Sequence, residues 1–252
     1  MKIVLVNDDG IDAKGIRFLA KKLHQKYELT IVAPATEQSG KGHAISTKTP
    51  LIITPETCVG QGIPAYRVEG SPADCVAIAC NALMLAPDVI ISGINSGFNL
   101  GADIFYSGTV SAAMEGALMG ITSIAISAAS FEDKDLSISA KVVLKLLSVL
   151  QLGNHPALYN VNVPTDPVGA TCAVLSNSSC SSRMGRMEKR QDPRGRIYYW
   201  RPIPQHSEEQ WGNTDRAWNK KRYITITPLN IDLTKQESMP EARMLSSTLM
   251  TS

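Results

Sequence analysis

Two aspartates stand side by side at the end of the first apolar run, KIVLVNDDG, where adjacent carboxylates repel each other and need something positive nearby. Along a regular strand Asp8 and Asp9 would point to opposite faces. At the strand's end the backbone turns, Gly10 permits the turn, and both acids can converge on one point. Two hard oxygen donors suit Mg²⁺, Mn²⁺ or Ca²⁺ better than a soft metal. The competing reading has one acid capping the next helix and the other solvated. Asp12 already stands where that cap is needed, which would leave both acids spare.

A second constellation follows the strongest apolar strand: SGINSGFNLGADIFYSGTVSAAMEGA, rich in Gly, Asn and Ser before it becomes helical near Gly108. The amide oxygen of Asn95 could complete a metal shell. Ser107, Gly108 and Thr109 stand at the helix start, where unpaired N–H groups and the helix dipole favour a phosphate. Ordinary loop chemistry would also use these residues, with Ser107 or Thr109 as N-cap. A third piece, PATEQSGKGH, brings the Ser39 hydroxyl and the Lys41 ammonium to the end of the second strand, where a mobile surface loop is the plainer alternative. His43 is the histidine nearest these groups and a candidate for protonating a leaving oxygen.

Something must carry these groups to one place. Short apolar runs (KIVLVN, ELTIVAP, AYRVEG, DVIISGIN, SIAIS, ALYNVNVP) alternate with helical patterns (AKGIRFLAKKLHQKY, PADCVAIACNALML, GTVSAAMEGALMG, LSISAKVVLKLLSVLQ). That order predicts an α/β fold, Rossmann-like, with a mostly parallel sheet covered by helices on both faces. Ligands in such sheets bind at the carboxyl ends of the strands, the edge that Asp8, Asp9 and the loop after Ile94 share. Residues 42–58 read as short strands and turns. The polar stretch at about 176–222 contains the strand-like RIYYWRP, RYITITPL returns to the body, and the tail after Leu233 is weakly patterned.

NDDG, Ser39-Gly40, VEGSPADCV, the long Gly/Asn/Ser loop, QDPRGRIYYW and ITITPLNIDLT occur in that order from residue 3 to about 234. Together they resemble the SurE family, survival proteins that remove phosphate from nucleoside monophosphates. The resemblance implies one divalent ion per subunit, Mg²⁺ or Mn²⁺, held by Asp8, Asp9, Ser39 and Asn95, with Asp8 and Asp9 catalytic. It places Asn99, Ser107, Gly108 and Thr109 near the phosphate. It implies a metal-dependent 5′-nucleotidase, an acid phosphatase-type phosphoric monoester hydrolase, with 3′-monophosphates and short polyphosphate as further substrates.

It also implies a single domain over 1–252. The core spans about 1–175 and 222–234, a protruding β-hairpin segment for oligomerisation about 176–221, and a C-terminal arm about 235–252, with a homodimer or homotetramer as the assembly. Thr214, Asp215 and Ala217 match the family pattern; Trp218 and Lys221 depart from it within the presumed subunit-contact segment, and Gly42 stands where many members carry a small polar residue. In-line attack by water is the expected mechanism, with an aspartyl-phosphate as the competing one, although D-x-D spacing is absent. The alternative class is a non-catalytic phosphate- or nucleotide-sensing phospho-acceptor module, which also pairs acids after its first strand. Such receivers need an Asp ending the third strand, where this chain has Glu69-Gly70.

The bulk properties agree with a globular enzyme. The 252 residues suffice for one large domain, and a net charge of +2 gives no general basis for binding nucleic acid or membrane. The basic cluster at Arg183 to Arg196 lacks interleaved aromatic residues that would stack bases. Five cysteines (Cys58, Cys75, Cys80, Cys172, Cys180) without a C-x-x-C pair suggest a reducing compartment rather than a disulfide framework or zinc site. The opening apolar run is too short for a signal peptide, and the expected location is cytoplasmic.

Overall fold

The computed structural model describes residues 1–56, 62–150, 152–153, 156–168, 173–175, 187–200 and 212–250. In chain order the elements are β1 (Lys2–Val6), α1 (Lys14–Leu23), β2 (Glu28–Pro34), β3 (Ile53–Glu56), β4 (Ala65–Val68), α2 (Pro72–Ala77), β5 (Val89–Ser96), α3 (Gly108–Leu118), β6 (Thr122–Ala128), α4 (Asp133–Val149), β7 (Leu158–Val163), β8 (Ala173–Leu175), β9 (Glu188–Gln191), β10 (Ile197–Trp200), α5 (Asp215–Lys220), β11 (Ile224–Pro228) and α6 (Met239–Met250).

Nine strands form one sheet in the order β3-β4-β2-β1-β5-β6-β7-β11-β8. The central ladders are parallel; β3 runs antiparallel to β4, and β11 antiparallel to β7. From β1 the chain winds outward to β2 and β4 on one side and to β5, β6 and β7 on the other. The junction of β1 and β5 is therefore the switch point where a crevice opens at the carboxyl edge. The α/β architecture with a mostly parallel sheet agrees with the sequence pattern.

Alternation along β1 divides the core. Ile3 and Leu5 face the helices α1 and α4, joining Ile16, Leu19, Leu23, Leu136 and Val143. Val4 and Val6 face the other side, with Val32 of β2, Val68 of β4, Cys75 and Val76 of α2 and Ala112 of α3. Helix α2 starts as its sequence indicates, with Pro72 in the first turn and a reciprocal capping box between Ser71 and Asp74. It continues as a π-helical turn over Ile78–Ala82, where an α-helical extension is the sequence expectation.

Three features depart from the sequence reading. Asp12 does not cap α1, whose N-cap is Ala13 with no side-chain bond; it pairs with Arg17 and Arg67 instead. The weakly patterned tail contains α6, whose residues 239–246 are solvent-exposed in the single chain. In the 176–221 segment, residues 176–186 and 201–211 lie outside the described residues and β9–β10 form an antiparallel hairpin. Helix α5 is packed into the body, with Asp215, Arg216 and Asn219 buried. Cys75 and Cys80 are free thiols, and burial pushes the Cys75 pKa well up; Cys58, Cys172 and Cys180 lie outside the described residues.

Candidate active site

Asp8 and Asp9 emerge at the switch point. Asp8 is 4% exposed, and its Oδ1 accepts a hydrogen bond from Thr109 Oγ1 at the head of α3. Gly10, at φ +96°, turns the chain immediately after the pair, and the Asn7 side chain donates to the Gly10 carbonyl at 2.8 Å, closing the turn. Helix α3 reaches Asp8 because Gly108 has no side chain: a Cβ there would lie 2.6 Å from Asp8 Cβ and 3.1 Å from Pro72 Cγ.

Burial raises the pKa of Asp8, opposed by hydrogen bonds from Thr109. Asp9 is pushed up to about 7 by burial, with the charges of Asp8 and Glu37 adding to the effect. Asp9 Oδ2 is buried without a hydrogen-bond partner. A buried acceptor with no donor is costly, and a cation is the species that would satisfy it.

The other expected ligands lie on the flanking loops. Asn95 ends β5 beside β1, and its Nδ2 donates to the Gly97 carbonyl at 2.7 Å, which leaves the amide oxygen as the group available to a cation. Ser39 is exposed on the loop after β2, with its hydroxyl donating to Glu37 Oε1 at 2.9 Å. That loop is tied to the site by Gln38 N–H donating to the Asp8 carbonyl at 2.7 Å, and by Gly42 N–H donating to the Tyr106 carbonyl at 3.0 Å. Among the described residues no group of three or more His, Cys, Asp or Glu forms a metal cage. Two carboxylates, a hydroxyl and an amide make an all-oxygen donor set, which fits a hard divalent cation.

The expected phosphate residues divide into two kinds. Ser107 is the N-cap of α3, its Oγ accepting from Val110 N at 3.1 Å, and together with Gly108 it presents the helix's first turn to the acids. Thr109 is fully buried and engaged with Asp8, so it orients the carboxylate. Asn99 is buried in an amide network. Its N–H donates to Asn162 Oδ1 (2.9 Å), its Nδ2 to Ser127 Oγ (2.9 Å), and its carbonyl accepts from Asn160 Nδ2 (2.7 Å). It shapes the loop from inside.

His43 meets the side chain of Glu115. Its Nε2 lies 2.8 Å from Glu115 Oε2, seven residues beyond Gly108 and so about 10 Å along the helix axis. Sequence reasoning missed Glu37, Asn160, Asn162 and Ser127. Only the alternation of polar residues in an otherwise buried strand, Asn160 and Asn162 in YNVNV, hinted at the network.

The family description "Survival protein SurE" matches residues 3–189. The chain belongs to the SurE family. It is 44% identical over 246 residues to the "5′-nucleotidase SurE" of Synechococcus sp. (strain JA-3-3Ab), with 93% of each chain covered. It is 41% identical over 254 residues to that of Pelotomaculum thermopropionicum, covering 98% of this chain and 96% of the relative. The crystal structure of the SurE protein from Aquifex aeolicus superposes with a TM-score of 0.80 at 31% identity, covering 98% of this chain and all of that one. The SurE fold thus extends over the whole sheet, including the strands beyond residue 189.

Proposed function

We propose that this SurE-family chain is a divalent-metal-dependent 5′-nucleotidase, hydrolysing nucleoside 5′-monophosphates to nucleoside and phosphate. The observation that carries this reading is the Asp8–Asp9 pair, Asp8 buried and Asp9 half-buried with its Oδ2 unpartnered, set against the head of α3. The relatives' name, 5′-nucleotidase SurE, supports the enzyme class over a non-catalytic phospho-acceptor.

Asp8, Asp9, Ser39 and Asn95 would hold one ion per subunit, Mg²⁺ or Mn²⁺. When bound, a divalent cation supplies Lewis-acid polarisation of the phosphoryl group and a lower pKa for water. The chain's own residues do the rest. The first turn of α3, with Ser107 and Gly108, binds phosphoryl oxygens and stabilises their charge. Thr109 fixes the rotamer of Asp8. Asp8 or Asp9 would orient the attacking water, and the nucleoside oxygen leaves in line. The gain is electrostatic and positional, as phosphoryl transfer requires.

The reading extends to 3′-monophosphates and short polyphosphate, because the site grips the phosphoryl group itself. It extends also to a homodimer or homotetramer built through the 176–221 segment and the 235–252 arm. The exposed apolar residues of β10 and the solvent-exposed α6 support this, since a lone hairpin and a 12-residue helix are marginal without partners. No stable nucleic-acid or membrane partner is proposed; among the described residues no helix is long and apolar enough to cross a membrane. The free thiols at Cys75 and Cys80 suit a cytoplasmic setting.

The test is inorganic phosphate release from 5′-AMP, 3′-AMP and short polyphosphate with Mg²⁺, Mn²⁺ or EDTA, beside Asp9→Asn. Release that needs the ion and is lost in Asp9→Asn is expected. No release by a folded, ion-supplied sample overturns the enzyme reading.

A further inference from the structure

The loop between β5 and α3 must deliver Ser107 to the acids, and part of what holds it comes from more than a hundred residues away. Asp215 and Arg216 open helix α5, and both are buried, at 0% and 5% exposure. Asp215 Oδ2 accepts the Gly101 N–H at 2.8 Å, and its Oδ1 accepts the Arg216 N–H at 2.7 Å. Arg216 Nη2 donates to the Leu100 carbonyl at 2.9 Å and lies 3.2 Å from Asp103 Oδ2. The Asp103 carbonyl in turn accepts the N–H groups of Tyr106 at 3.0 Å and Ser107 at 3.1 Å. One residue, Asp103, therefore joins the guanidinium to the N-cap of α3.

A guanidinium taken out of water is expensive unless charge and hydrogen bonds compensate it. Among the described residues the partners of this one's side chain lie on residues 100 and 103, both bonded through Nη2, while Nε has none; Asp215 holds residue 101. The device thus acts on a single short segment, next in sequence to Asn99 and its amide network. We propose that Asp215 and Arg216 are positioning residues for phosphate binding, locking Leu100–Asp103 so that Ser107 and the first turn of α3 face Asp8 and Asp9. The proposal rests on the nucleotidase reading for its kinetic consequence but not for its structural one. It also gives the matched Asp215 a task inside the catalytic body rather than in the subunit contact.

The test uses the full chain with Mn²⁺ and three variants: Arg216→Gln, Arg216→Lys and Asp103→Asn. In Arg216→Gln, kcat for 5′-AMP is expected to fall about 10- to 100-fold, the scale for misplacing a reacting group by a fraction of an ångström to one ångström. Mn²⁺ affinity by titration calorimetry should stay within about threefold, and Arg216→Lys, which keeps the cation but not the guanidinium's reach, should recover part of the rate. Amide hydrogen exchange, read without turnover, should quicken at Gly101, Tyr106 and Ser107 while β1, β5 and β6 stay protected. If Arg216→Gln does not fold, Asp103→Asn carries the same prediction, because the Asp103 side chain is 20% exposed and tolerates the change more readily.

Unchanged loop exchange and unchanged kcat would overturn the proposal. So would losses spread evenly over Mn²⁺ affinity and sheet protection, since they would mark a general packing contact. A parent chain that releases no phosphate would remove the nucleotidase reading and leave the exchange result to decide the positioning one.

Discussion

At the scale of single residues, the candidate site sets two acids side by side where a bound cation would relieve their repulsion. Asp9 is an acid placed where its charge is poorly solvated and one oxygen has no donor. Asp9→Asn should lower kcat/KM at least about 100-fold, since several kcal/mol of charge stabilisation is at stake. The same change should raise the melting temperature of the metal-free chain by about 2–4 °C, the shift for roughly 1 kcal/mol in a protein of this size. Calorimetry with and without EDTA separates the two effects; a lower metal-free melting temperature would count against the burial argument. Gly108→Ala tests shape rather than charge, because its methyl would press on Asp8 Cβ. We expect kcat to fall about 10- to 100-fold through displacement of α3 from Asp8, measured beside a thermal scan to confirm folding. The strand-end position of the acids and the Ser107 cap of α3 were legible in the sequence because both are local features, whereas Asp12 is drawn from the cap of α1 by Arg17 and the distant Arg67. The engagement of Thr109 with Asp8, the burial of Asn99 and the turning of His43 toward Glu115 were not, because each depends on a partner distant in sequence.

At the scale of elements, periodicity identified most of the sheet and its helices, since buried parallel strands read as unbroken apolar runs. It failed at the π-helical turn after α2 and the docking of α5, where packing decides, and at α6, whose mixed sequence has no strong stripe. Asp74 shows how one residue ties two segments together. It accepts from Ser71 N at 2.8 Å within the capping box, and from Ser46 N and Oγ at 3.0 and 2.7 Å across the loop that also carries His43. Burial pushes its pKa up, but the bonds from Ser46 and Ser71 outweigh burial and hold it below the usual carboxylate range. The native pKa lies below the unfolded one, so the stabilisation is complete above about pH 4, the unfolded value, and fades as pH falls through the native value. Asp74→Asn should therefore cost about 1–2 kcal/mol at neutral pH, and progressively less below about pH 4. Urea denaturation at several pH values checks the sign; a cost that grows with acidity would refute it.

At the scale of the whole molecule, the exposed side chains of β10 (Ile197, Tyr198, Tyr199 and Trp200 are 42–59% exposed) form a patch that a single chain leaves wet. Substituting Tyr199→Asp and Trp200→Asp places charge on both faces of that strand. Sedimentation should then show a smaller assembly, with phosphate release per chain retained in any form whose site is complete within one subunit. An unchanged assembly would move the subunit contact elsewhere.

The sheet order has a consequence for biosynthesis. Strand β11 lies between β7 and β8, so β8 leaves the ribosome about fifty residues before the neighbour it pairs with. At roughly 5–20 residues per second, that strand waits several seconds with its edge open. The loop that presents Ser107 likewise waits for Arg216. A nascent chain stalled before residue 215 would carry every expected metal ligand and still lack part of the support for its phosphate site, so full activity should appear only as synthesis nears its end.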